Sequence, residues 1–578
     1  MKIALPKLSA LRNALSGSRL PDDAARCRIS ARRRLPAPPK NRQRFVIAIG
    51  LFCCVYGVIG GRLVMWGVSP SSGGAYSPQG QVIAARPDLV DRNGEVLATD
   101  IKTASLFAEP RRIVDADEAT ELLLGVLPDL NPKFLHTRLA SDAGFVWLKR
   151  ELTPRQQQEI FALGLPGIGF RNEKRRFYPG GNTASHVVGL VNVDNQGIAG
   201  MEKYIDDQGY RDIQNLGLAA GNLEPVKLSI DLRVQHIMRD ELAAAIVRYK
   251  AIAAAGVIID VTTGEIMAMA SMPDFDPNSA ADALKKENLN RMSAGTFEMG
   301  STFKSFTTAM ALDSGLVKMT DVFSTEPFRV SGFTIKEFHS KHRPLSVPEI
   351  FQYSSNVGSA READLVGIEG HRAFLTKLGL LSRMQTELPE VATPTQPKTW
   401  KKINSMTISY GHGVSTTPLQ TAVAAAALMN GGYLIPPTFL PRTQEEAQKL
   451  AVQVVSKKTS DEMRYIYDLN GERGSGRQAL VPGYRVGGKT GTAEKVINGR
   501  YVGNKRFNAY LAAFPMDAPR YVTLVVIDEP QPVPGSGQGA TAASNAAPTA
   551  GAIIRRSAAL LKVKPDFNAN GKSLLVSY

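Results

Sequence analysis

The sequence predicts an α+β protein with a single N-terminal membrane helix, an elongated, mostly-β module, and a larger domain whose antiparallel sheet carries an inserted helical subdomain. Three observations carry this. An apolar run with one charge occupies residues 45–68. Short strand-like pieces alternate with turn signals from about Val82 to Asn222. Beyond that, strand-like segments come from both ends of residues 223–562 and helical periods fill the middle, the pattern of a sheet with an insertion.

Composition sets the frame. At 578 residues, with 43% hydrophobic and 21% charged, the chain is globular and spans several domains. That excludes a wholly disordered chain, a collagen and a multi-span transporter. Of the net charge of +16, +10 falls within residues 1–44, so a strongly basic tail precedes a mildly basic body. Residues 45–68, FVIAIGLFCCVYGVIGGRLVMWGV, contain only Arg62. As a helix at ~1.5 Å per residue this run spans a hydrocarbon core of ~30 Å. Arg62 and Trp66 suit the far interface, and Lys40, Arg42 and Arg44 flank the near end. The positive-inside rule places the tail in the cytoplasm and the body outside it. A cleaved signal peptide fits worse, because the run is too long and no small-x-small site follows. Cys27, Cys53 and Cys54 are the three cysteines, so the exported body has neither disulfide nor thiol chemistry.

The expected parts are a tail at 1–44, the span at 45–68, a linker and scaffold or docking module at 69–222, the larger domain at 223–562 and a C-terminal tail at 563–578. In the module, Asn93-Gly94 between apolar runs reads as a tight turn. In the larger domain, Asp231 caps a helix through about Tyr249. AAAGVIIDVTTGEIMAMAS reads as a hairpin, TAVAAAALM as a helix closed at Asn430, and YRVGGKTGTAEKV, FNAYLAAF and YVTLVVID as strands.

Three motifs in this domain bear chemistry. Ser301-Thr302-Phe303-Lys304 follows Gly300 and opens a helix. At i and i+3, Ser301 and Lys304 share a face. A lysine amine whose pKa is depressed by burial or by a second cation can take the serine proton. The helix N-terminus supplies an N–H for an oxyanion. Ser354-Ser355-Asn356 offers a hydroxyl, Ser354, to pass the proton to a leaving amine, and an amide, Asn356, for a substrate peptide bond. In Lys489-Thr490-Gly491-Thr492, Lys489 can bind a substrate carboxylate and serve as the second cation. Thr490 can hydrogen-bond the same carboxylate, Gly491 lets a substrate backbone approach, and the N–H of Thr492 completes the oxyanion site. Taken singly, each motif is also read as a capped helix, a turn cluster or an ordinary strand.

Gly483–Thr490, GYRVGGKT, matches a phosphate-binding loop literally. Such a loop must run into a helix, whereas Asn498-Gly499 marks a hairpin here, so no nucleotide is expected. His339 and His342 form an H-x-x-H pair without a third ligand at metal spacing, and no metal or other cofactor is expected. His412 lies in SYGHG, bordering a cleft or shaping a loop. With a membrane span beside it, the basic tail is expected to meet anionic lipid or a cytoplasmic protein rather than nucleic acid.

S-x-x-K, S-x-N and K-T-G in this order resemble the set of the penicillin-binding proteins. FEMGSTFKSFTTAMAL, TISYGHGVSTTPLQTAVAAAALMNGG, GGKTGTAEK and GVIIDVTTGEIMAMASMPDFDPN are similar to segments of the class B (monofunctional) members, with Met299 where proline is usual. ARPDLVDRNGEVLAT, with Pro87 where glycine is common, and RRFYPGGNTASHVVGLVNVDNQGIAGMEKYID resemble the pedestal (dimerisation-type) domain of that family. The resemblance covers about residues 45–555 and is nearest to the septal, cell-division (FtsI) type, with the elongation type close in architecture. It implies a penicillin-binding, serine β-lactamase-like fold for the larger domain, at the inner membrane of the division site. The implied reaction is D,D-transpeptidation of peptidoglycan stem peptides. Catalytic roles fall to Ser301, Lys304, Ser354, Lys489 and Thr492, and substrate binding to Asn356, Thr490 and Gly491. Inhibition by β-lactams and partnership with an FtsW-type glycosyltransferase and other divisome proteins are implied as well. The rival readings are a β-lactam hydrolase or sensor on the same fold, and a divisome scaffold without catalysis.

Overall fold

The computed structural model describes residues 86–209, 223–283, 285–497, 499–535 and 539–567, together with Gly50, Cys54, Tyr56 and Gly57. The basic tail and nearly all of the expected span at 45–68 lie outside the described residues. Among the described residues no helix is long and apolar enough to cross a membrane.

The first sheet grows from the Asn93-Gly94 turn. Strand β1 (Leu89–Val90) pairs antiparallel with β2 (Val96–Ala108). Gly94 takes φ +94°, a conformation that costs glycine little. The Asp91 carboxylate closes the turn by accepting the N–H groups of Asn93 at 2.7 Å and Glu95 at 2.9 Å. Strands β3 (Val146–Leu152) and β4 (Ile168–Phe177) flank β2 antiparallel, and β5 (Val226–Lys227) pairs parallel with β1. Against the sheet pack helices α1 (Ala116–Val126), α2 (Pro132–Leu139) and α3 (Pro154–Ala162). Leu106, Leu123, Leu135, Leu148 and Ile160 form their common core.

The expectation of a mostly-β module is therefore corrected: helix and strand contribute alike. Helices of 8–11 residues hold only two or three turns, so the apolar period repeats too few times to stand out. Their N-caps, Asp115, Asn131 and Thr153, are residue types that signal turns equally well.

The module is pinned by a buried ion cluster. Glu202, fully buried, accepts from Arg86 Nε at 2.8 Å and Arg176 Nε at 2.6 Å. Arg86 also reaches Asp206 at 2.6 Å, and Arg176 the Pro87 carbonyl at 2.8 Å. These bonds tie residues 86–100 to the helix Gly200–Asp207 across more than a hundred positions of sequence.

The larger domain is built on a five-stranded antiparallel sheet. With β6 (Ala253–Asp260), β7 (Ile266–Met272), β8 (Gly487–Ile497), β9 (Arg500–Phe514) and β10 (Tyr521–Asp528), the order is β8-β9-β10-β6-β7. The strands come from both ends of the domain sequence, as expected. Every residue of β6 and β10 is buried, because helices cover both faces. Val257 and Ile259 enter one core, shared with Leu419 and Leu428 of the helix Pro418–Met429. Ile258 enters the other, with Met238 and Leu242 of α4 (Leu232–Tyr249) and Ile553 of the helix Ala546–Ser557. Alternate residues on opposite faces are the strand's period of two. Asp231 caps α4 through the Arg233 N–H. The insertion between the two halves of the sheet supplies α5 (Lys304–Asp313), α6 (Asn356–Lys377) and α7 (Lys457–Arg473), besides the helix Pro418–Met429.

Truncating Glu202 to alanine leaves two buried guanidinium groups without their shared partner. Breaking such a pair costs about 3–5 kcal/mol. The expected outcome is a loss of that size in the denaturant-unfolding free energy of the first module, with Glu202→Gln losing less.

Candidate active site

The three motifs converge at the free edge of β8. Ser301 lies in a 3₁₀ turn, Gly300–Phe303, that runs directly into α5. As the second residue of that turn, its N–H has no acceptor within the turn. Gly300 takes φ +53° and sits against β8. A Cβ on it would meet the Thr492 carbonyl oxygen at 3.0 Å and the Thr492 nitrogen at 3.2 Å. The Gly488 carbonyl accepts from Asn470 Nδ2 at 2.5 Å and the Thr490 carbonyl from Lys489 Nζ at 3.1 Å. Both therefore face away from β9. Two-residue alternation puts the N–H of Thr492 on the same outward edge, beside the nucleophile turn.

Behind Ser301, two lysine amines share one hydroxyl. Lys304 Nζ donates to the Ser354 carbonyl at 2.5 Å and to Asn356 Oδ1 at 2.8 Å, and lies 3.1 Å from Ser354 Oγ. Lys489 Nζ donates to the same Ser354 Oγ at 3.0 Å. Both lysines are fully buried. Burial is the main force that pushes the Lys304 amine well below the ordinary lysine range, and the neighbouring charge of Lys489 pushes it further. Glu337 and Glu362 oppose this. Burial alone brings Lys489 down to about 7. A neutral Lys304 has two N–H donors, which its two carbonyl partners consume. Its lone pair then remains for a hydroxyl proton.

The structure brings Ser301, Lys304, Ser354, Asn356, Lys489 and Thr492 together, and it adds three details. Among the described residues no hydrogen bond joins Ser301 to Lys304; the amine is held by Ser354 and Asn356. In a free enzyme such contacts are often long and tighten with substrate. Lys489, expected to bind a substrate carboxylate and to serve as the second cation, is fully buried and donates to Ser354 Oγ. Gly491, expected to admit a substrate backbone, lies against the Ser301 turn: a Cβ there would lie 2.4 Å from the Met299 carbonyl oxygen. Thr490 is nearly buried, and its hydroxyl meets Ser475 Oγ at 2.7 Å.

Several positioning residues escaped the sequence reading. Glu337 accepts from the Asn356 and Val357 N–H groups at 2.9 and 3.3 Å and also bonds the Ser355 hydroxyl. It thus fixes the start of α6 from a loop 19 residues away. Ser355 itself caps α6 through the Gly358 N–H at 2.8 Å. Ser354 takes φ +58°, a left-handed conformation uncommon for a residue with a side chain. Gly411 packs on Gly300, where a Cβ would lie 2.0 Å from the Gly300 carbonyl oxygen. This brings the SYGHG loop to the site. His412 stands 5.6 Å from the Tyr410 ring and 5.7 Å from Tyr501, and burial lowers its pKa. Glu298 clasps the same wall, accepting from the Gly413 N–H at 2.7 Å and the Tyr501 hydroxyl at 3.1 Å. Of these residues the sequence reading singles out His412, as bordering a cleft or shaping a loop; Glu298 and Glu337 give no signal in the sequence.

The segment imitating a phosphate loop, Gly483–Thr490, runs into strand β8 at Gly487, and β8 pairs as a hairpin with β9, Ile497 opposite Arg500. No helix follows it to meet a phosphate.

Residues 254–555 match the penicillin binding protein transpeptidase domain, and residues 81–219 the penicillin-binding protein dimerisation domain. The chain belongs to the penicillin-binding protein transpeptidase family. It is 39% identical over 550 residues to the probable peptidoglycan D,D-transpeptidase FtsI of Caulobacter vibrioides, covering 92% of this chain and 91% of that one. Against the peptidoglycan D,D-transpeptidase FtsI of Escherichia coli it is 31% identical over 525 residues, 85% of this chain and 86% of that one. The crystal structure of a peptidoglycan synthetase from Bifidobacterium adolescentis shares the fold. It aligns with a TM-score of 0.65 at 22% identity, covering 86% of this chain and 98% of that one.

Replacing Gly491 by alanine forces β8 away from the Met299 carbonyl and so separates Thr492 from Ser301. With the Thr492 N–H as the expected oxyanion donor, its loss costs ~10²–10³ in rate. A fall of that order is expected in the acylation rate by a chromogenic β-lactam, with the far-UV circular dichroism unchanged.

Proposed function

We propose that the chain is a septal, FtsI-type class B D,D-transpeptidase that cross-links peptidoglycan stem peptides through an acyl-enzyme on Ser301. The observation that carries this is the pair of buried lysine amines meeting at the Ser354 hydroxyl behind Ser301. Such a pair holds at least one amine neutral near physiological pH, which is what a serine needs from its base.

Ser301 Oγ attacks the carbonyl of the penultimate D-Ala, and its proton passes to Lys304. The N–H groups of Ser301 and Thr492 hold the oxyanion. Collapse breaks the peptide bond, and the leaving D-Ala amine takes the proton back through Ser354, whose hydroxyl touches both lysines. Asn356, held by Lys304 on one side, presents its amide to the donor peptide. The Thr490 and Ser475 hydroxyls suit the terminal carboxylate. An amine of a neighbouring stem then resolves the ester, restoring Ser301.

The septal assignment is supported by similarity along most of the chain to proteins named FtsI. On this reading, with the expected span at 45–68, the catalytic domain lies outside the inner membrane at the division site. An FtsW-type glycosyltransferase and other divisome proteins are its expected partners there.

Benzylpenicillin mimics D-Ala-D-Ala and tests the reading. Intact mass over hours is expected to show one stable adduct on the chain and none on Ser301→Ala. An adduct that persists in the variant sinks the assignment of Ser301. Rapid turnover of the drug makes the chain a hydrolase instead.

A further inference from the structure

A carboxylate and three aromatic rings gather beside the Ser301 turn, and the acyl-transfer chemistry uses none of them. Gly411 lies on Gly300, and Phe297 and Thr416 pair as an antiparallel bridge. The SYGHG loop therefore runs alongside the residues that lead into Ser301, in the opposite direction. Glu298 Oε1 accepts the Gly413 N–H at 2.7 Å and the Tyr501 hydroxyl at 3.1 Å. An oxygen that accepts two donors suits an ionised carboxylate. Glu298 Oε2 is buried without a hydrogen-bond partner among the described residues. His412 packs on the rings of Tyr410 and Tyr501 at 5.6 and 5.7 Å, and burial lowers its pKa, so it brings no charge of its own. Tyr501 is 49% exposed, which leaves part of its ring open to a ligand.

Strand β8 sets the direction of a bound stem. Thr490 meets the terminal carboxylate and Thr492 the scissile carbonyl, two strand residues or ~6.6 Å apart. An extended stem continues past Thr492, so the residue before its D-Ala pair lies beside Glu494. At that end β8 pairs with β9, Val496 opposite Tyr501. Glu298 and Glu494 are the acids that act on His412, and Lys304 is the cation that opposes them. Lys495 and Lys505 are paired with Asp528 and Glu529. This end of the cleft is therefore acidic and aromatic. Stems that supply the attacking amine are copies of the stems that are attacked. The donor thus carries the same side-chain amine, on the residue before its D-Ala pair.

We propose that Tyr501 and Glu298 form a specificity subsite for the side-chain ammonium of the donor stem: the Tyr501 ring meets the cation, and the Glu298 carboxylate behind the Tyr501 hydroxyl supplies the opposing charge. The inference rests on the acyl-transfer reading, with Ser301 as nucleophile and the stem direction set by Thr490 and Thr492. A tyrosine face attracts a cation, and a carboxylate a few Å behind it adds to the attraction. Both favour a positive side chain over a neutral one of equal length. No bond forms or breaks in the subsite. It selects the donor and holds it in register with Ser301.

The test is a ratio of two donors. The full chain is given an N-acetyl-L-lysyl-D-alanyl thioester and its norleucyl analogue, which lacks the amine, and kcat/KM is measured for each at about pH 7, where the lysyl amine is charged. Wild type is expected to prefer the lysyl donor about 3–10-fold. Glu298→Gln keeps the size and an oxygen for Gly413 and Tyr501, but carries no charge. It is expected to bring the preference to within about twofold of parity, and Tyr501→Leu to do the same. Both donors share the Ser301 chemistry, so a variant that only loosens the nucleophile turn slows them alike. A ratio unmoved by both variants overturns the proposal, and so does a wild type without preference. If Glu298→Gln does not fold, Tyr501→Leu, at a half-exposed position, decides. A wild-type chain that neither thioester nor benzylpenicillin acylates on Ser301 overturns the acyl-transfer reading itself, and this inference with it.

Discussion

Two lysine amines, both buried, meet at one serine hydroxyl, and the architecture of the larger domain follows from the need to hold them there. Burying a cation is costly, and burying two side by side is costlier because they repel. The protein lowers the cost by letting the amines give up charge and by surrounding them with backbone and amide oxygens. Lys304 comes from α5, Ser354 and Asn356 from the start of α6, and Lys489 from the edge strand β8. No single element could supply the arrangement. α5 must meet α6 for Lys304 to find its partners, and α6 must meet the sheet for Lys489 to find Ser354.

That docking is close enough to depend on glycine. Gly300, Gly411 and Gly491 each place backbone where a side chain would collide with backbone of another element. The SYGHG loop lies on the nucleophile turn, and the turn lies on β8. Because interiors are close-packed and transmit strain, a displacement of any one layer moves the Ser301 turn relative to Thr492. The spacing of the Ser301 turn from Thr492 is thus a property of the stack rather than of either residue alone. Tyr467, whose hydroxyl donates to Ser305 at 2.7 Å, ties α7 to α5 and extends the same stack away from the cleft.

Much of this was legible beforehand, and the reasons are local. The strands β6, β7 and β10 announce themselves as largely apolar runs, since a strand covered on both faces needs few polar residues. Asp231 and Asn430 sit at helix ends because an end leaves backbone groups unpaired. The spacing of Ser301 and Lys304 reads as one face of a helix turn. Glu337, Ser475 and Glu298 were not legible, because each acts through a partner far away in sequence and belongs to a residue type common on surfaces. The helices of the first module were missed for a different reason, their brevity.

The sequence by itself determined the residue types of the chemistry, their order, and the secondary structure that carries each motif, because these depend on contacts a few residues apart. The tertiary structure alone decided which oxygen each lysine faces, that Lys489 is fully buried against Ser354, and that Gly491 packs on the Met299 carbonyl. Those outcomes depend on burial and on close approach between elements separated by tens to hundreds of residues. Neither a lysine's pKa nor a glycine's neighbour exists until the chain has packed.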